Sequence, residues 1–166
     1  MSGTLLQINR SRGGIPKLPV SGLVTIDAAG VEGDWQTNRK VHGGPDKAVL
    51  MIAAQVIRAL ADLGFPVIPG SLGENLTVEG LDPHLWRAGQ RYRVGETAVI
   101  ELTKLRQPCA TLDRYGPPIK KEIYDAQCRD GDVLAPHWAY GGFYARVLHS
   151  GLISVGAPVL LESDRA

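Results

Sequence analysis

Arg91-Tyr92-Arg93-Val94-Gly95-Glu96-Thr97-Ala98-Val99-Ile100-Glu101-Leu102 reads as two alternating strands joined by a tight turn, and it sets the fold class. Gly95-Glu96 suits a two-residue hairpin turn, whose first central position favours glycine. Working outward, residues 5–9, 23–26, 74–78, 143–149 and 159–161 show the same short alternation, broken by Gly, Pro or Asp. The chain has 20 Gly and 11 Pro in 166 residues, enough punctuation for many turns between short elements. Residues 48–52 form an apolar run that reads as a buried strand. Beyond it the period changes: over residues 53–63, Val56, Ile57, Leu60 and Leu63 share one helical face. Gly64 then caps and Pro66 stops the helix. A weaker helical stretch covers 118–124. The expected architecture is mainly β: a barrel with one or two accessory helices, which hides the edges of its strands, in a single domain spanning 1–166.

Charge excludes some partners. Lys plus Arg number 18 against 17 Asp plus Glu, a net charge of +1, so a nucleic-acid binder with a basic excess is not expected. The longest apolar run, 48–54, is too short to span a bilayer, and the first residues lack the apolar region of a signal peptide. The expectation is a cytoplasmic protein with no membrane partner, whose two cysteines, Cys109 and Cys128, are free thiols.

Two long loops, 27–46 and 106–118, stand out on this scaffold, and long ordered loops are where function usually sits. The first contains Gly30, Gly33, Gly43 and Gly44 with Arg39, Lys40 and His42, and Lys47 follows it directly. Glycine turns can present consecutive N–H groups to an anion, and the side chains add charged donors. The same composition also suits a solvated surface crossover. In the second loop Pro108 stiffens the backbone before Cys109, with Lys104 and Arg106 nearby. Positive charge favours the thiolate, the form that binds soft metals or carries sulfur. A free cysteine can equally be a small buried hydrophobe. The four histidines are scattered, without metal-binding spacing, and a Cys109–His42 dyad requires the two to meet in space. Trp35, Trp86 and Trp138 read as core or rim aromatics.

Taken together, Gly30-Val31-Glu32-Gly33-Asp34 and Val41-His42-Gly43-Gly44-Pro45-Asp46-Lys47-Ala48-Val49 resemble the opening of the MOSC family, the molybdenum cofactor sulfurase C-terminal domain. Pro69-Gly70-Ser71-Leu72-Gly73-Glu74-Asn75-Leu76-Thr77 is similar to its second motif, Arg106-Gln107-Pro108-Cys109 to its cysteine motif, and residues 142–148 to its closing strand. The motifs come in family order across about 22–162, an arrangement that resembles the small stand-alone bacterial members. The resemblance implies a β-barrel that binds molybdenum cofactor (molybdopterin). It makes Cys109 the catalytic residue, as molybdenum ligand or sulfur carrier. Arg39, His42, Gly43, Gly44, Lys47, Asn75, Thr77 and Arg106 become the cofactor-binding set.

Three activities follow from the resemblance. One is reduction of N-hydroxylated bases or related small-molecule substrates, with electrons from a separate reductase. Another is sulfur transfer through Cys109, loaded by a separate cysteine desulfurase, since no room is left for a pyridoxal-phosphate domain. The third is non-catalytic binding and delivery of the cofactor. The segment 126–140 is less family-like and is expected to be a lid or a partner-specific insertion.

Overall fold

The computed structural model describes residues 1–35 and 43–164. Its strands are β1 (Ser2–Arg10), β2 (Leu18–Pro19), β3 (Val24–Asp27), β4 (Gly30–Val31), β5 (Val49–Ala53), β6 (Leu76–Glu79), β7 (Arg91–Val94), β8 (Ala98–Leu105), β9 (Phe143–His149), β10 (Gly151–Ile153) and β11 (Pro158–Ser163). Seven of them close into a barrel in the order β1-β6-β5-β9-β8-β7-β11, and β11 pairs back onto β1 with Ser2 opposite Leu160. A small sheet, β10-β3-β4, packs against β8 and β9. The mainly β barrel is therefore the architecture of this chain.

Among the described pairings only β5 and β6 run parallel, with Met51 opposite Leu76. A parallel pair needs a crossover, and helix α1 (Ala54–Asp62) supplies it. Ala54, Val56, Ile57 and Leu60 face the barrel, while Leu63 lies beyond the helix and is exposed, against the sequence reading. All five residues of β5 are buried, because the barrel interior takes one face and the outer layer covers the other. That explains the unbroken apolar run. Trp86, Tyr92 and Phe143 are the largest side chains that are fully buried.

Two further readings need correction. Val94 pairs with Ala98, so the β7–β8 connection holds three residues, Gly95, Glu96 and Thr97, rather than two. Gly95 still takes a positive φ, and its N–H donates to the Pro158 carbonyl on β11. The segment 126–140 is not a lid. After the short helix α2 (Ile119–Ile123), helix α3 (Ala126–Arg129) and its turns press Cys128, Ala135, Trp138 and Ala139 into the core. Trp138 Nε1 donates to the Trp86 carbonyl at 2.9 Å, and no residue of the segment lines the cavity described below. Among the described residues, no helix is long and apolar enough to cross a membrane.

Gly142, where the chain enters β9, tests the packing. Its φ is +88°, and a Cβ there would lie 2.6 Å from Ile52 Cγ1 and 2.7 Å from the Met51 carbonyl oxygen. Gly131 has a similar φ of +81° with open space around it. Gly131→Ala should cost about 1 kcal/mol, the left-handed strain alone. Gly142→Ala should cost about 1–3 kcal/mol more from overpacking. Urea midpoints measure the difference, and equal shifts would mean the barrel wall yields at Gly142.

Candidate active site

The end of β8 delivers the chemistry. Arg106 follows that strand, and its N–H bonds the Gly142 carbonyl at 2.9 Å. Pro108 then turns the chain, and a short helical turn, Ala110–Tyr115, is anchored by fully buried Leu112. Cys109 sits at the head of that turn, half-buried, with Sγ 2.8 Å from the Thr111 hydroxyl. Burial opposes ionisation of this thiol. The Thr111 hydroxyl and N–H, with the Arg106 charge, outweigh it and hold the thiol below its ordinary range. Cys128 is the contrast: burial pushes its thiol up.

Cys109 and Arg106 line a cavity of about 280 Å³ together with Lys17, Asn75, Tyr144 and Trp35. Arg106 is only 5% exposed. Its Nη2 donates to the Leu72 carbonyl at 3.1 Å, whereas Nη1 is buried without a hydrogen-bond partner among the described residues. A buried cationic donor left unpaired is costly unless something anionic or polar meets it. Burial raises the Tyr144 hydroxyl above its usual range, an effect the neighbouring guanidinium opposes.

The cavity wall is a polar network. Asn75 Oδ1 accepts from the Leu50 N–H at 3.1 Å, and Nδ2 donates to the Asn9 carbonyl at 3.2 Å and to Asp34 Oδ2 at 2.9 Å. Asp34 Oδ2 also takes Lys17 Nζ at 2.6 Å, and Oδ1 takes the Ser11 N–H at 2.9 Å. Deeper still, Glu74 Oε1 accepts from the Gly70 N–H at 2.6 Å and from Thr77 Oγ1 at 3.1 Å. Burial raises the Glu74 carboxyl above its ordinary range.

A second cavity, about 380 Å³, is lined by Gly43, Gly44, Lys47 and Asp34. Asp34 is thus the partition between the two. Lys47 Nζ stands 5.4 Å from the centre of the Tyr144 ring, the ring that walls the first cavity. Burial, and then the Lys104 ammonium, lower the Lys47 pKa.

The residues expected from sequence fall into three groups. Asn75, Arg106 and Cys109 meet in one cavity, and Gly43, Gly44 and Lys47 line the neighbouring one. Thr77 is fully buried behind Glu74 and lines neither. Arg39, Lys40 and His42 lie outside the described residues, as does any Cys109–His42 dyad. Sequence reading missed Lys17, Asp34 and Tyr144 as site residues. Asp34 stood inside a quoted motif, and Tyr144 inside a predicted strand. Lys17 carried no signal beyond its place between two prolines.

The donor set fits a molybdenum–pterin group. Cys109 offers a soft thiolate, and Arg106 offers an unpaired buried donor for an anion. Among the described residues no three His, Cys, Asp or Glu side chains cluster as a metal's ligand set. A metal at Cys109 would therefore need further donors from its own organic ligand.

The thiol's state is measurable. Alkylation at pH 7 should modify Cys109 faster than an ordinary thiol and leave Cys128 untouched. Arg106→Met removes the favouring charge and raises the pKa. The rate should fall up to about tenfold per pKa unit, in proportion to the thiolate fraction. An unchanged pH–rate profile would show that Arg106 does not act on the thiol.

Similarity to known proteins accords with this geometry. Residues 38–160 match the MOSC domain family model. The chain is 36% identical over 152 residues to the uncharacterized protein YflK of Bacillus subtilis and 29% identical over 153 residues to YiiM of Escherichia coli. Each alignment covers 90% of this chain, which spans 63% of the length of either relative. Among solved structures, YiiM from Geobacillus stearothermophilus superposes with a TM-score of 0.71 at 27% identity, over 97% of this chain and 75% of that one. YiiM from Escherichia coli superposes with a TM-score of 0.70 at 25% identity, over 100% and 72%. The barrel, the ordered motifs and the matched family model have one conclusion: this chain belongs to the MOSC domain family.

Proposed function

We propose that the Cys109 cavity holds molybdenum cofactor and that the chain reduces N-hydroxylated bases or related compounds, with electrons from a separate reductase. The observation that carries this is the pairing of a low-pKa, half-exposed thiol with the buried, unpaired Nη1 of Arg106 in one cavity. When bound, the cofactor supplies a metal that cycles between oxidation states and so takes up and gives out electrons. The protein's own residues hold and orient. Cys109 is the soft ligand, and Arg106 and Asn75 offer donors from the cavity wall. Gly43, Gly44 and Lys47 line the adjoining cavity, where exposed N–H groups and an ammonium suit a phosphate. Trp35, half-exposed at the rim, and Tyr144 give a flat substrate aromatic surfaces to pack on.

The half-exposed thiol, held toward the thiolate, favours a second reading as well, with Cys109 receiving sulfur from a cysteine desulfurase and passing it on. Protein co-expressed with cofactor biosynthesis should carry molybdenum and pterin near one per chain, and should turn over N-hydroxylated compounds with an artificial electron donor. Cys109→Ser should lose both properties while its circular dichroism stays unchanged, because serine is a harder and far less acidic donor. Persulfide trapped on Cys109 without reductive turnover would favour the carrier instead. Folded wild-type protein free of molybdenum and pterin would overturn the cofactor reading.

A further inference from the structure

Lys17 and Asp34 link the two cavities. Lys17 lines the one containing Cys109, Asp34 lines the one containing Lys47, and the side chains meet at 2.6 Å. Only 7% and 5% of these side chains are exposed. A buried ion pair is weak evidence for stability, since desolvation offsets much of the attraction. Its position is the informative part. The lysine also precedes residues 38–160, which match the family model.

The charged and titratable groups facing Lys17 come from several elements. They are Asp34 beyond β4, Glu74 before β6, Arg106 and Cys109 beyond β8, and Tyr144 on β9. Four ionisable side chains line the Cys109 cavity among the described residues: Lys17, Arg106, Cys109 and Tyr144. Guanidinium does not release its proton at neutral pH, and Cys109 is held toward the thiolate. Burial raises the Tyr144 hydroxyl above its usual range, which makes it the weaker acid. Burial loosens the ammonium proton of Lys17, although Asp34 opposes this. Lys17 is the donor that remains.

We propose that Lys17 is the general acid for N–O bond reduction in this cavity and that Asp34 holds its ammonium in place. The proposal rests on the reductase reading above. Reduction of an N-hydroxyl group consumes two electrons and two protons, breaks the N–O bond, leaves N–H and releases water. The electrons come from the separate electron-donor protein. Lys17 Nζ protonates the departing oxygen, and solvent supplies the proton that ends on nitrogen. The neutral amine then takes a proton back from solvent, and the Asp34 carboxylate steadies the ammonium that re-forms.

Lys17→Arg separates acid from charge, because arginine keeps the positive group beside Asp34 but does not give up a proton. With molybdenum-loaded protein and an artificial donor, kcat at pH 7 should fall about 10²- to 10⁴-fold while metal content and KM hold. Retained kcat in Lys17→Arg would show that charge alone suffices, and overturns the acid role. A second measurement needs no turnover. In 15N-lysine-labelled protein, Asp34→Asn should speed hydrogen exchange at Lys17 Nζ, because the carboxylate that holds the ammonium is gone, and equal exchange overturns the part given to Asp34. A wild type that reduces no N-hydroxylated compound overturns the reductase reading and with it the use of this proton. The exchange measurement still reads the Lys17–Asp34 contact itself.

Discussion

The carboxamide of Asn75 is the contact on which the top of the barrel depends. Its backbone N–H donates to the Leu50 carbonyl while its side-chain Oδ1 accepts the Leu50 N–H, so one residue closes a two-bond link to β5. On the other side the Asn9 N–H reaches the Asn75 carbonyl, and Nδ2 returns to the Asn9 carbonyl. Asn75 therefore ties β1 to β5 just where β6 begins between them. The amide has one donor left, and it goes to Asp34. Every hydrogen on the side chain is used. A buried network satisfied to this degree is rigid, and that rigidity holds the cavity wall in place.

The same economy sets the electrostatics of the site. Asp34 spends its carboxylate on Lys17, Asn75 and the Ser11 N–H, and it does not line the Cys109 cavity. Glu74 lies deeper, bonded to Gly70 and Thr77. Among the described residues, the lining of the Cys109 cavity then contains lysine and arginine but no carboxylate. A nearly neutral chain has sorted its charges so that the cavity is cationic and its acidic groups stand behind the wall.

How much of this was legible depends on length. Strands with four or more alternating residues could be read, and the bounds of β7 and β9 coincide with the sequence expectation. The two- and three-residue strands β2, β4 and β10 offer too few positions for a period to show. They exist because a neighbour supplies the ladder. Thr97 was assigned to a strand because Gly95-Glu96 reads as a two-residue turn, but strand register placed it in the turn. Cys109, Arg106 and Asn75 were legible because they stand in ordered motifs. Thr77 was taken with Asn75 because both stand in the second motif, two residues apart. That spacing also sets it about 6–7 Å further along the strand, behind Glu74. The Lys17–Asp34 pair had no local pattern at all, because 17 residues separate partners that only the folded barrel brings together.

Closure of the barrel through β1 and β11 has a consequence for synthesis. Residues Ser2 to Thr4 find their partners only at Pro158 to Leu160. While the chain is being made, β1 carries an unpaired edge until β11 has left the ribosome. Contacts of such sequence separation are slow to form, and an open edge can template pairing with another chain. β6 can cover the other side of β1 much earlier, since Thr4 pairs with Glu79. The cylinder cannot seal before β11 is made, so conditions that stall or disrupt that strand should yield aggregates before they yield inactive monomers.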